Sequence, residues 1–426
     1  MPLPDLVEIT PLAALPRAEI TVPGSKSLTN RALVLAALGE GRTQLTGALW
    51  SEDTQVMVEA LRRLGWAVAV EPDPNEPGNR RLTIEGQSGH VPKGGTHDQP
   101  LELFVGNAGT AARFLAALVC LGSGWYRLAG VPRMHERPQA ELFAALRQLG
   151  YRIESPNDRL PALIQGGGPR AGRCAVSIQE SSQFASALLL CAGRGGWQVT
   201  VAGANADEAP YVEMTRALCR VFPRQGGEFV IEPDASSGSY FYAVNALWGA
   251  GGPDWPVRVR HWPASGWQVD ARFPELLPLR RPLSRATDLG DSIMMAIVLA
   301  PLAEQPLSFV DLGRLRVQEC ERVTALRTEL ARCGALVREK GDTLEFVPGP
   351  LRGAEIETYG DHRMAMCFAV LGLKVPGIRL RQPTCVKKSF PNFFQKLALP
   401  PPEGLGAVVR DARSGRVLPP AELTAE

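Results

Sequence analysis

Six cations and two acids stand out in this chain because each lies where a helix or a turn is predicted to begin. The cations are Lys26, Arg31, Arg137, Arg322, Arg363 and Lys388, and the acids are Asp291 and Glu319. Arginine and lysine bind phosphates and carboxylates, whereas positioned carboxylates transfer protons. The set therefore predicts chemistry between small substrates that carry several negative charges. The sequence has no nucleophile elbow, zinc-protease motif or dinucleotide fingerprint, and we expect neither a metal nor a cofactor.

The segment at residues 23–31 (PGSKSLTNR) has the composition of an anion-binding turn. An apolar strand is predicted to end there, and Ser25 or Ser27 is predicted to cap the helix that follows. Free backbone N–H groups at such a helix start attract an anion. The second glycine of the nucleotide-binding P-loop is missing, which argues against a nucleotide. A plain capped helix with a surface lysine is the alternative for this segment alone.

Seven further segments carry polar residues at predicted turns or helix starts. They are GNAGT at 106–110, PRMHERP at 132–138, QESSQFASA at 179–187, DLGDS at 288–292, LRVQECERV at 315–323, GDHRMAM at 360–366 and VKKSFP at 386–391. Glycines let the backbone approach a ligand, serine and glutamine bind hydroxyls or phosphate oxygens, and His362 is a candidate acid or base. Each segment also has a plain alternative: a tight turn, a solvated loop, a helix cap, a surface ion pair or a structural histidine.

A helix that ends at a glycine and continues into a short strand recurs along the chain. The clear copies are VEALRRLGWAVAV at 58–70, LFAALRQLGYRI at 142–153 and LRTELARCGALV at 326–337, and MTRALCRVF at 214–222 is a fainter one. Apolar residues spaced three and four apart predict an amphipathic helix, and the glycine suits its C-cap. The repeat predicts an α/β fold with internal symmetry. After Pro400 the proline- and glycine-rich composition predicts a poorly ordered end.

The bulk composition excludes several classes of protein. The 426 residues suffice for two domains or more, and a formal net charge of +2 provides no global field for nucleic acid or a membrane surface. Eight cysteines without a CxxC pair argue against a zinc site or a disulfide scaffold and fit reduced thiols in the cytoplasm. No signal peptide is evident, and the apolar run at 294–303 is too short to cross a bilayer.

In their order along the chain, these motifs resemble the 5-enolpyruvylshikimate-3-phosphate synthases, a family of enolpyruvyl transferases. The resemblance rests on PGSKSLTNR, GNAGT, RMHERP, ESSQ, DASSGSYF, RVQECER, GDHRMAMCF and KKSFPNFF, which extend over nearly the whole chain. It implies two similar domains, each an inside-out α/β barrel of three βαβαββ units. One would comprise residues 1–23 and 234–426 and the other residues 24–233, with the active site in the cleft between them.

The resemblance also implies an activity. A member of this family transfers the enolpyruvyl group of phosphoenolpyruvate to the 5-hydroxyl of shikimate 3-phosphate and releases phosphate through a tetrahedral intermediate. This reaction belongs to the shikimate pathway to chorismate and the aromatic amino acids. We therefore expect a cytoplasmic monomer that uses no metal or cofactor and binds neither nucleic acid nor a membrane.

Individual roles follow from the matched motifs. Shikimate 3-phosphate is expected to contact Lys26, Ser27, Arg31, Ser181, Ser182, Gln183 and Asp291. Phosphoenolpyruvate is expected to contact Lys26, Asn107, Gly109, Arg137, Gln183, Arg322, Arg363 and Lys388. Asp291 would accept the proton of the attacking hydroxyl, Glu319 would transfer a proton at the methylene carbon, and Lys26 would contact both substrates.

Three positions depart from the family pattern. Gln318 stands where a lysine is expected to touch shikimate 3-phosphate, so a charge is lost beside Glu319. Glu208 stands where a small or hydroxylic residue often binds the substrate phosphate, and it would repel phosphate if it pointed inward. Phe114 replaces a proline that commonly follows the arginine of GNAGTAAR, which predicts altered sensitivity to phosphoenolpyruvate mimics such as glyphosate.

Two other functions are open at this point. A sister transferase acts on UDP-N-acetylglucosamine with similar chemistry, but its loop carries a reactive cysteine, which the segment at 132–138 lacks. A non-catalytic relative that binds an anionic metabolite would account for Gln318 and Glu208. Against it, Lys26, Asp291 and Glu319 are all retained.

Overall fold

The chain folds into two compact units in a computed structural model that describes residues 3–203, 208–252 and 254–425. Unit 1 comprises Met1–Pro23 and Pro233–Glu426, and unit 2 comprises Gly24–Glu232. Within the described ranges, no helix is both long and apolar enough to span a membrane.

Both units mix strands with helices, numbered here in chain order. The strands are β1 (Leu6–Ile9), β2 (Ala18–Ile20), β3 (Glu40–Leu49), β4 (Val68–Pro72), β5 (Asn79–Gln87), β6 (Leu101–Phe104), β7 (Ser123–Ala129), β8 (Arg152–Glu154), β9 (Ala162–Gly167), β10 (Gly172–Ser177), β11 (Trp197–Ala202), β12 (Gly227–Val230), β13 (Val257–Val259), β14 (Leu283–Ser284), β15 (Leu307–Val310), β16 (Leu336–Lys340), β17 (Thr343–Val347), β18 (Glu355–Ile356), β19 (Arg379–Arg381) and β20 (Val409–Asp411). The α-helices are α1 (Lys26–Leu38), α2 (Glu52–Arg63), α3 (Gly109–Leu118), α4 (Pro132–Glu136), α5 (Ala140–Gln148), α6 (Ser182–Gly195), α7 (Ala209–Val221), α8 (Ala235–Ala246), α9 (Ile293–Leu299), α10 (Arg322–Arg332), α11 (His362–Gly372) and α12 (Phe393–Ala398). Short 3-10 helices occupy Val119–Leu121, Val269–Leu276, Ala300–Leu302, Leu312–Val317, Pro383–Lys388 and Pro420–Glu422.

The same sheet pattern recurs in both units. Unit 2 has four-stranded sheets of order β12-β3-β5-β4 and β6-β7-β9-β8, and unit 1 has β14-β15-β17-β16 and β18-β19-β1-β20. In each of these four sheets the first two strands pair in parallel and the next two pairings are antiparallel. Each unit adds a parallel pair, β10-β11 in unit 2 and β2-β13 in unit 1. The predicted α/β fold with similar halves is confirmed.

The recurring helix, glycine and strand form the outer part of this repeat. After α2, α5 and α10 come Gly65, Gly150 and Gly334, whose φ angles are 101°, 85° and 88°. A side chain with a Cβ is strained at such angles, whereas glycine adopts them freely. Each glycine leads into an edge strand of a four-stranded sheet, namely β4, β8 or β16. The sequence pattern thus marks the same corner three times.

Three helices in each unit form its interior. In unit 2, α1, α3 and α6 pack against one another, and in unit 1, α8, α9 and α11 do the same. Every residue of α9 and α11 is buried, as are residues 28–38 of α1. A helix that is apolar on all sides has to lie inside the protein, so the amphipathic helices and the sheets cover it. Glu329 of α10 and Thr43 of β3 show that the covering layer buries some polar groups as well.

The end of the chain differs from the expectation. Instead of poor order after Pro400, β20 pairs antiparallel with β1, with Ile9 opposite Val409. Leu418 donates its backbone N–H to Val409, and the Leu423 side chain is fully buried. The prolines and glycines there form turns around a strand that completes a sheet, so composition alone was a misleading guide.

Candidate functional site

Several of the predicted site residues lie at or next to the N-termini of the interior helices. In unit 2, α1 begins at Lys26, α3 at Gly109 and α6 at Ser182. In unit 1, Asp291 lies just before α9, and Asp361 is the N-cap of α11. The first backbone N–H groups of a helix have no partner within the helix, so these ends offer donors to anions. The residues fall into two clusters, one in each unit, and each is described by itself.

The hydroxyl cluster of unit 2 is centred on a buried arginine. It consists of Lys26, Ser27, Arg31, Ser181, Ser182, Ser186 and Thr215. Arg31 Nε donates to Thr215 Oγ1 at 2.7 Å, and its Nη2 donates to Ser186 Oγ at 3.1 Å. Its Nη1 donates to the Ser27 carbonyl at 2.9 Å. The guanidinium is thus held by neutral oxygens.

Burial dominates the electrostatics of Arg31. Loss of hydration lowers the pKa of Arg31 to about 10, although Tyr211, Cys219 and Glu208 act in the opposite direction. The guanidinium carbon also lies 5.4 Å from the centre of the Phe114 ring, within the range of a cation–π contact. Phe114 is fully buried in α3. The residue that departs from the family pattern therefore touches a predicted substrate-binding cation.

Lys26 is the first residue of α1 and pairs with a single acid. Its Nζ lies 3.1 Å from Asp53 Oδ2, and the lysine side chain is one-fifth exposed. Ser25 occupies the N-cap position as predicted, but within the described residues its side chain makes no capping hydrogen bond. The amide groups at the start of α1 keep their capacity for an anion. Ser27 is half-buried beside them.

The GNAGT turn brings two arginines against a glycine. A Cβ built on Gly109 would lie 2.4 Å from Arg137 Nη2 and 2.7 Å from Arg113 Nη1, so both guanidinium groups would have to shift to admit a side chain there. Arg137 Nη1 donates to the Asn107 carbonyl at 3.2 Å, and Arg113 Nη1 donates to the Gly109 carbonyl at 3.1 Å. The expected close approach at the glycine is made by arginines of the chain itself. Asn107 Oδ1 is buried without a hydrogen-bond partner in the described structure.

The ESSQ segment caps α6 as the plain alternative proposed. Ser181 is the N-cap, and its Oγ accepts the Gln183 backbone N–H at 3.2 Å. The Ser182 N–H donates to a carboxylate oxygen of Glu208, which is 4% exposed. The Gln183 Oε1 atom is buried and has no hydrogen-bond partner in the described structure. Glu208 therefore does point inward, toward the predicted shikimate 3-phosphate residues.

The ion-pair cluster of unit 1 is centred on Asp291. It consists of Arg285, Asp291, Gln318, Glu319, Arg322, Asp361, Arg363 and Lys388. Asp270 fixes the turn that carries Asp291, because it accepts the N–H of Gly290 at 2.7 Å and that of Ser292 at 3.3 Å. These are the residues on either side of Asp291. Asp288, three residues earlier, binds Arg281 and belongs to a separate contact.

Three guanidinium groups face Asp291. Its Oδ2 lies 3.1 Å from Arg363 Nε, and its Oδ1 lies 3.5 Å from Arg285 Nη2 and 3.6 Å from Arg322 Nη1. Burial alone would raise the pKa of Asp291, but Arg363, Arg322 and Arg285 outweigh burial and hold that pKa well below its usual range. The Asp291 side chain is 19% exposed, so a ligand can reach it. In this state it is a weak base.

Arg322 is buried completely and engages three carboxylates. Asp361 accepts from Nε at 2.6 Å and from Nη2 at 3.2 Å, and Glu319 Oε2 lies 2.9 Å from Nη2. Burial would lower the pKa of Arg322, yet Asp361, Glu319 and Asp291 raise it well above its usual value. The pairing of Glu319 with Arg322 was expected, but at the surface, whereas the structure buries Arg322 completely. Every nitrogen of Arg322 is occupied, which favours a counter-ion over a direct ligand contact.

Gln318 forms hydrogen bonds with both Asp291 and Arg322. Its Nε2 donates to Asp291 Oδ1 at 3.3 Å, and its Oε1 accepts from Arg322 Nη1. A lysine here could pair with Asp291 but could not accept from Arg322, because an ammonium group has no acceptor. Glu319 Oε1 lies 3.4 Å from Lys388 Nζ, which completes the predicted set of acids and cations in unit 1. His362 is buried, with its Nδ1 3.6 Å from Asp361 Oδ1.

Several supporting residues were not predicted from the sequence. Arg285, Asp53 and Thr215 each contact a predicted site residue across at least 6 positions of chain, and Thr215 lies 184 positions from Arg31. Asp270 bonds to Gly290 and Ser292, the two neighbours of Asp291. Asp361 stood inside a quoted motif, and an acid before an apolar helix could have been assigned as its N-cap. Among the residues that the structure describes, no group of three or more His, Cys, Asp and Glu side chains could hold a metal ion.

Known proteins share this chain's sequence over most of its length. The family model described as EPSP synthase (3-phosphoshikimate 1-carboxyvinyltransferase) matches residues 14–224 and 284–397. A 3-phosphoshikimate 1-carboxyvinyltransferase of Opitutus terrae is 39% identical, covering 93% of this chain and 98% of that relative. One of Bordetella pertussis is 38% identical, covering 91% and 96%.

A solved structure shares the fold. The EPSP synthase of Acinetobacter baumannii superposes with a TM-score of 0.70, covering 95% of this chain and 100% of that one. Its sequence is 22% identical, so the likeness supports the architecture alone.

Proposed function

Because this chain belongs to the EPSP synthase family, we propose a division of labour between its two clusters. The chain transfers the enolpyruvyl group from phosphoenolpyruvate to shikimate 3-phosphate in the shikimate pathway. The hydroxyl cluster binds the anionic acceptor, and the ion-pair cluster moves the protons. The observation that carries this assignment is the position of Asp291. Its side chain is 19% exposed and lies among three guanidinium groups.

Shikimate 3-phosphate is assigned to the starts of α1 and α6. Lys26, Ser27 and Arg31 supply two cations and a hydroxyl, and Ser181, Ser182 and Gln183 supply neutral donors and acceptors. The neutral partners of Arg31 support this role, since a buried guanidinium gains most from a new anion. Asp291 is assigned to the hydroxyl that attacks.

Phosphoenolpyruvate is assigned to cations of both units. Asn107, Gly109, Arg137 and Gln183 serve it in unit 2 together with Lys26, and Arg363 and Lys388 serve it in unit 1. Arg322 contributes its charge without a direct contact to the substrate, because its nitrogens are already bonded to Asp361, Glu319 and Gln318.

The proton steps then follow. The Glu319 and Lys388 pair delivers a proton to the methylene carbon of phosphoenolpyruvate, which makes the neighbouring carbon electrophilic. The 5-hydroxyl oxygen bonds to that carbon and gives its proton to Asp291, which yields a tetrahedral intermediate. Glu319 then takes a proton back from the new methyl group, and the bond between the tetrahedral carbon and the phosphate oxygen breaks. The leaving phosphate takes the proton from Asp291, which gives phosphate and the enolpyruvyl product. When Arg363 turns to the incoming anion, Asp291 loses one of its three guanidiniums and becomes a stronger base.

We further propose that the enzyme works as a monomer in the cytoplasm. All eight cysteines are free thiols, as a reducing compartment favours. Light scattering on the purified chain, with a mass near 46.0 kDa expected for a monomer, tests the first part.

A phosphate-release assay tests the activity. We expect turnover with shikimate 3-phosphate and phosphoenolpyruvate, and none when UDP-N-acetylglucosamine replaces the acceptor. Lys26→Met should lower kcat/KM by about 10²-fold or more, since Lys26 is assigned to both substrates. Lys93→Met, an exposed-loop lysine of the same unit, is the matched control. Full activity of Lys26→Met would overturn the site assignment, and binding without turnover in the natural chain would favour a non-catalytic relative.

A further inference from the structure

Glu208 occupies a position that an anionic substrate is expected to use. It lies just before α7, is 4% exposed, and accepts the N–H of Ser182 at the start of α6. That amide is one of the donors that a helix start offers to a phosphate. A carboxylate of the chain itself therefore stands where the proposed function places the acceptor's phosphate.

The neighbours of Glu208 strengthen this observation. Ser182 follows the α6 cap Ser181, and Ser186 one turn later binds Arg31. Burial lowers the pKa of Arg31 to about 10, and the charges of Tyr211, Cys219 and Glu208 oppose that effect. Glu208 thus provides negative charge directly to the amide, and more weakly to the cation, that the substrate would engage.

We propose that Glu208 is a specificity-determining residue that holds the place of the acceptor's phosphate and must leave when shikimate 3-phosphate binds. This rests on the proposed function. Two anions cannot share one amide and one buried guanidinium without strong repulsion, so the substrate displaces the carboxylate at a cost in affinity. The side chain can swing by rotation about its own bonds, since α7 begins only at Ala209.

The displacement lowers the preference for a phosphorylated acceptor. An acceptor without a phosphate leaves Glu208 in place, so its affinity depends little on Glu208. The ratio of the dissociation constants for shikimate and shikimate 3-phosphate therefore reports on Glu208, separately from the rest of the site. A merely structural role would move both constants together.

Isothermal titration of the full chain with each ligand tests the proposal. Glu208→Gln keeps the shape of the side chain and removes its charge, and Glu208→Ser also removes its reach. We expect shikimate 3-phosphate to bind about tenfold tighter to Glu208→Gln, and at least as tightly to Glu208→Ser, which corresponds to about 1.4 kcal/mol. The affinity for shikimate should stay within about twofold, because the interaction removed is the one with phosphate.

A charge-matched control comes from the same helix. Glu213 is exposed and pairs with Arg216, so Glu213→Gln removes one charge of α7 away from the site and should leave both affinities unchanged. If both Glu208 variants keep their circular dichroism spectrum and bind shikimate 3-phosphate no tighter than the natural chain, the proposal is wrong. If the natural chain also turns over its substrates, the proposed function survives that failure. If no variant binds shikimate 3-phosphate and none releases phosphate, both proposals fall.

Discussion

Arg31 and Arg322 are both buried arginines, yet the two clusters hold them in opposite ways. Arg31 donates to hydroxyl and carbonyl oxygens, whereas Arg322 binds Asp361, Glu319 and Asp291. Burial lowers the pKa of Arg31 to about 10, while the three acids raise that of Arg322 above its usual value. Arg31 keeps its positive charge for a ligand, whereas the charge of Arg322 is balanced by the acids of its own cluster.

The difference separates binding from chemistry. A guanidinium with neutral partners gains a full ion pair when an anion arrives, so it supplies affinity. A network of mutually paired acids and bases gains less from one more charge, but small exchanges of partners inside it shift proton affinity. The predictions below alter one cluster at a time and begin with the largest effect.

Removing the central carboxylate should abolish the chemistry. Asp291→Asn keeps the shape and one acceptor oxygen but cannot take a proton, so we expect kcat to fall by about 10²–10⁴-fold. The phosphate-release assay under saturating substrates measures it. Asp288→Asn on the same turn loses its contact with Arg281 but should keep its kcat. A kcat for Asp291→Asn close to the natural value would mean that another residue accepts the proton.

Removing each buried arginine should cost different amounts of stability. Arg322→Ala leaves three carboxylates without their common partner, and we expect a loss of about 3–5 kcal/mol in the free energy of unfolding. Arg31→Ala leaves hydroxyl groups without a donor and should cost about 1–3 kcal/mol. Urea denaturation followed by tryptophan fluorescence compares them. Equal losses, or a greater loss for Arg31→Ala, would break the comparison between the clusters.

Low pH should remove the stability that the ionised Asp291 of the ion-pair cluster gives to the fold. The folded pKa of Asp291 lies below its unfolded value, so the ionised group stabilises the fold above the unfolded pKa of about 4. As pH falls from there toward the folded pKa, this stability is lost. The difference in unfolding free energy between the natural chain and Asp291→Asn should therefore be constant from pH 7 to about 5 and shrink below about 4. A difference that grows in acid contradicts this sign.

The smallest effect is expected at the aromatic partner of Arg31. Phe114→Leu removes a ring 5.4 Å from the guanidinium. We expect the binding of shikimate 3-phosphate to weaken by about 0.5–1 kcal/mol, which corresponds to a KM raised about two- to fivefold. Leucine is a better test than proline, because Phe114 lies inside α3 and proline would remove a helix hydrogen bond. Inhibition by glyphosate, measured on the same variant, tests the sensitivity expected from the sequence. Unchanged KM and unchanged inhibition would leave Phe114 as a core residue alone.

The sequence was informative wherever the physics is local. Gly65, Gly150 and Gly334 mark a backbone angle that only glycine adopts easily, so the repeated corner was predicted. The paired acids and cations of unit 1 were named, but Arg285 and Asp270 were not, since no local pattern records the contact of Arg285 with Asp291 or the bond of Asp270 to Gly290, 20 positions away. Ser25 was placed correctly at the N-cap of α1, although its side chain makes no capping hydrogen bond in the described structure. The direction of Glu208 also depends on a distant helix.

The buried helices have a consequence for how fast substrates arrive. Each aligned helix carries about half a positive charge at its N-terminus, so the ends of α1, α3 and α6 add a positive potential within unit 2, and those of α8, α9 and α11 add one within unit 1, which the small formal net charge of +2 conceals. Such a potential attracts polyanions from a distance and weakens as salt screens it. Association with doubly charged substrates should thus be faster in dilute buffer than in concentrated buffer, even though the chain as a whole is nearly neutral.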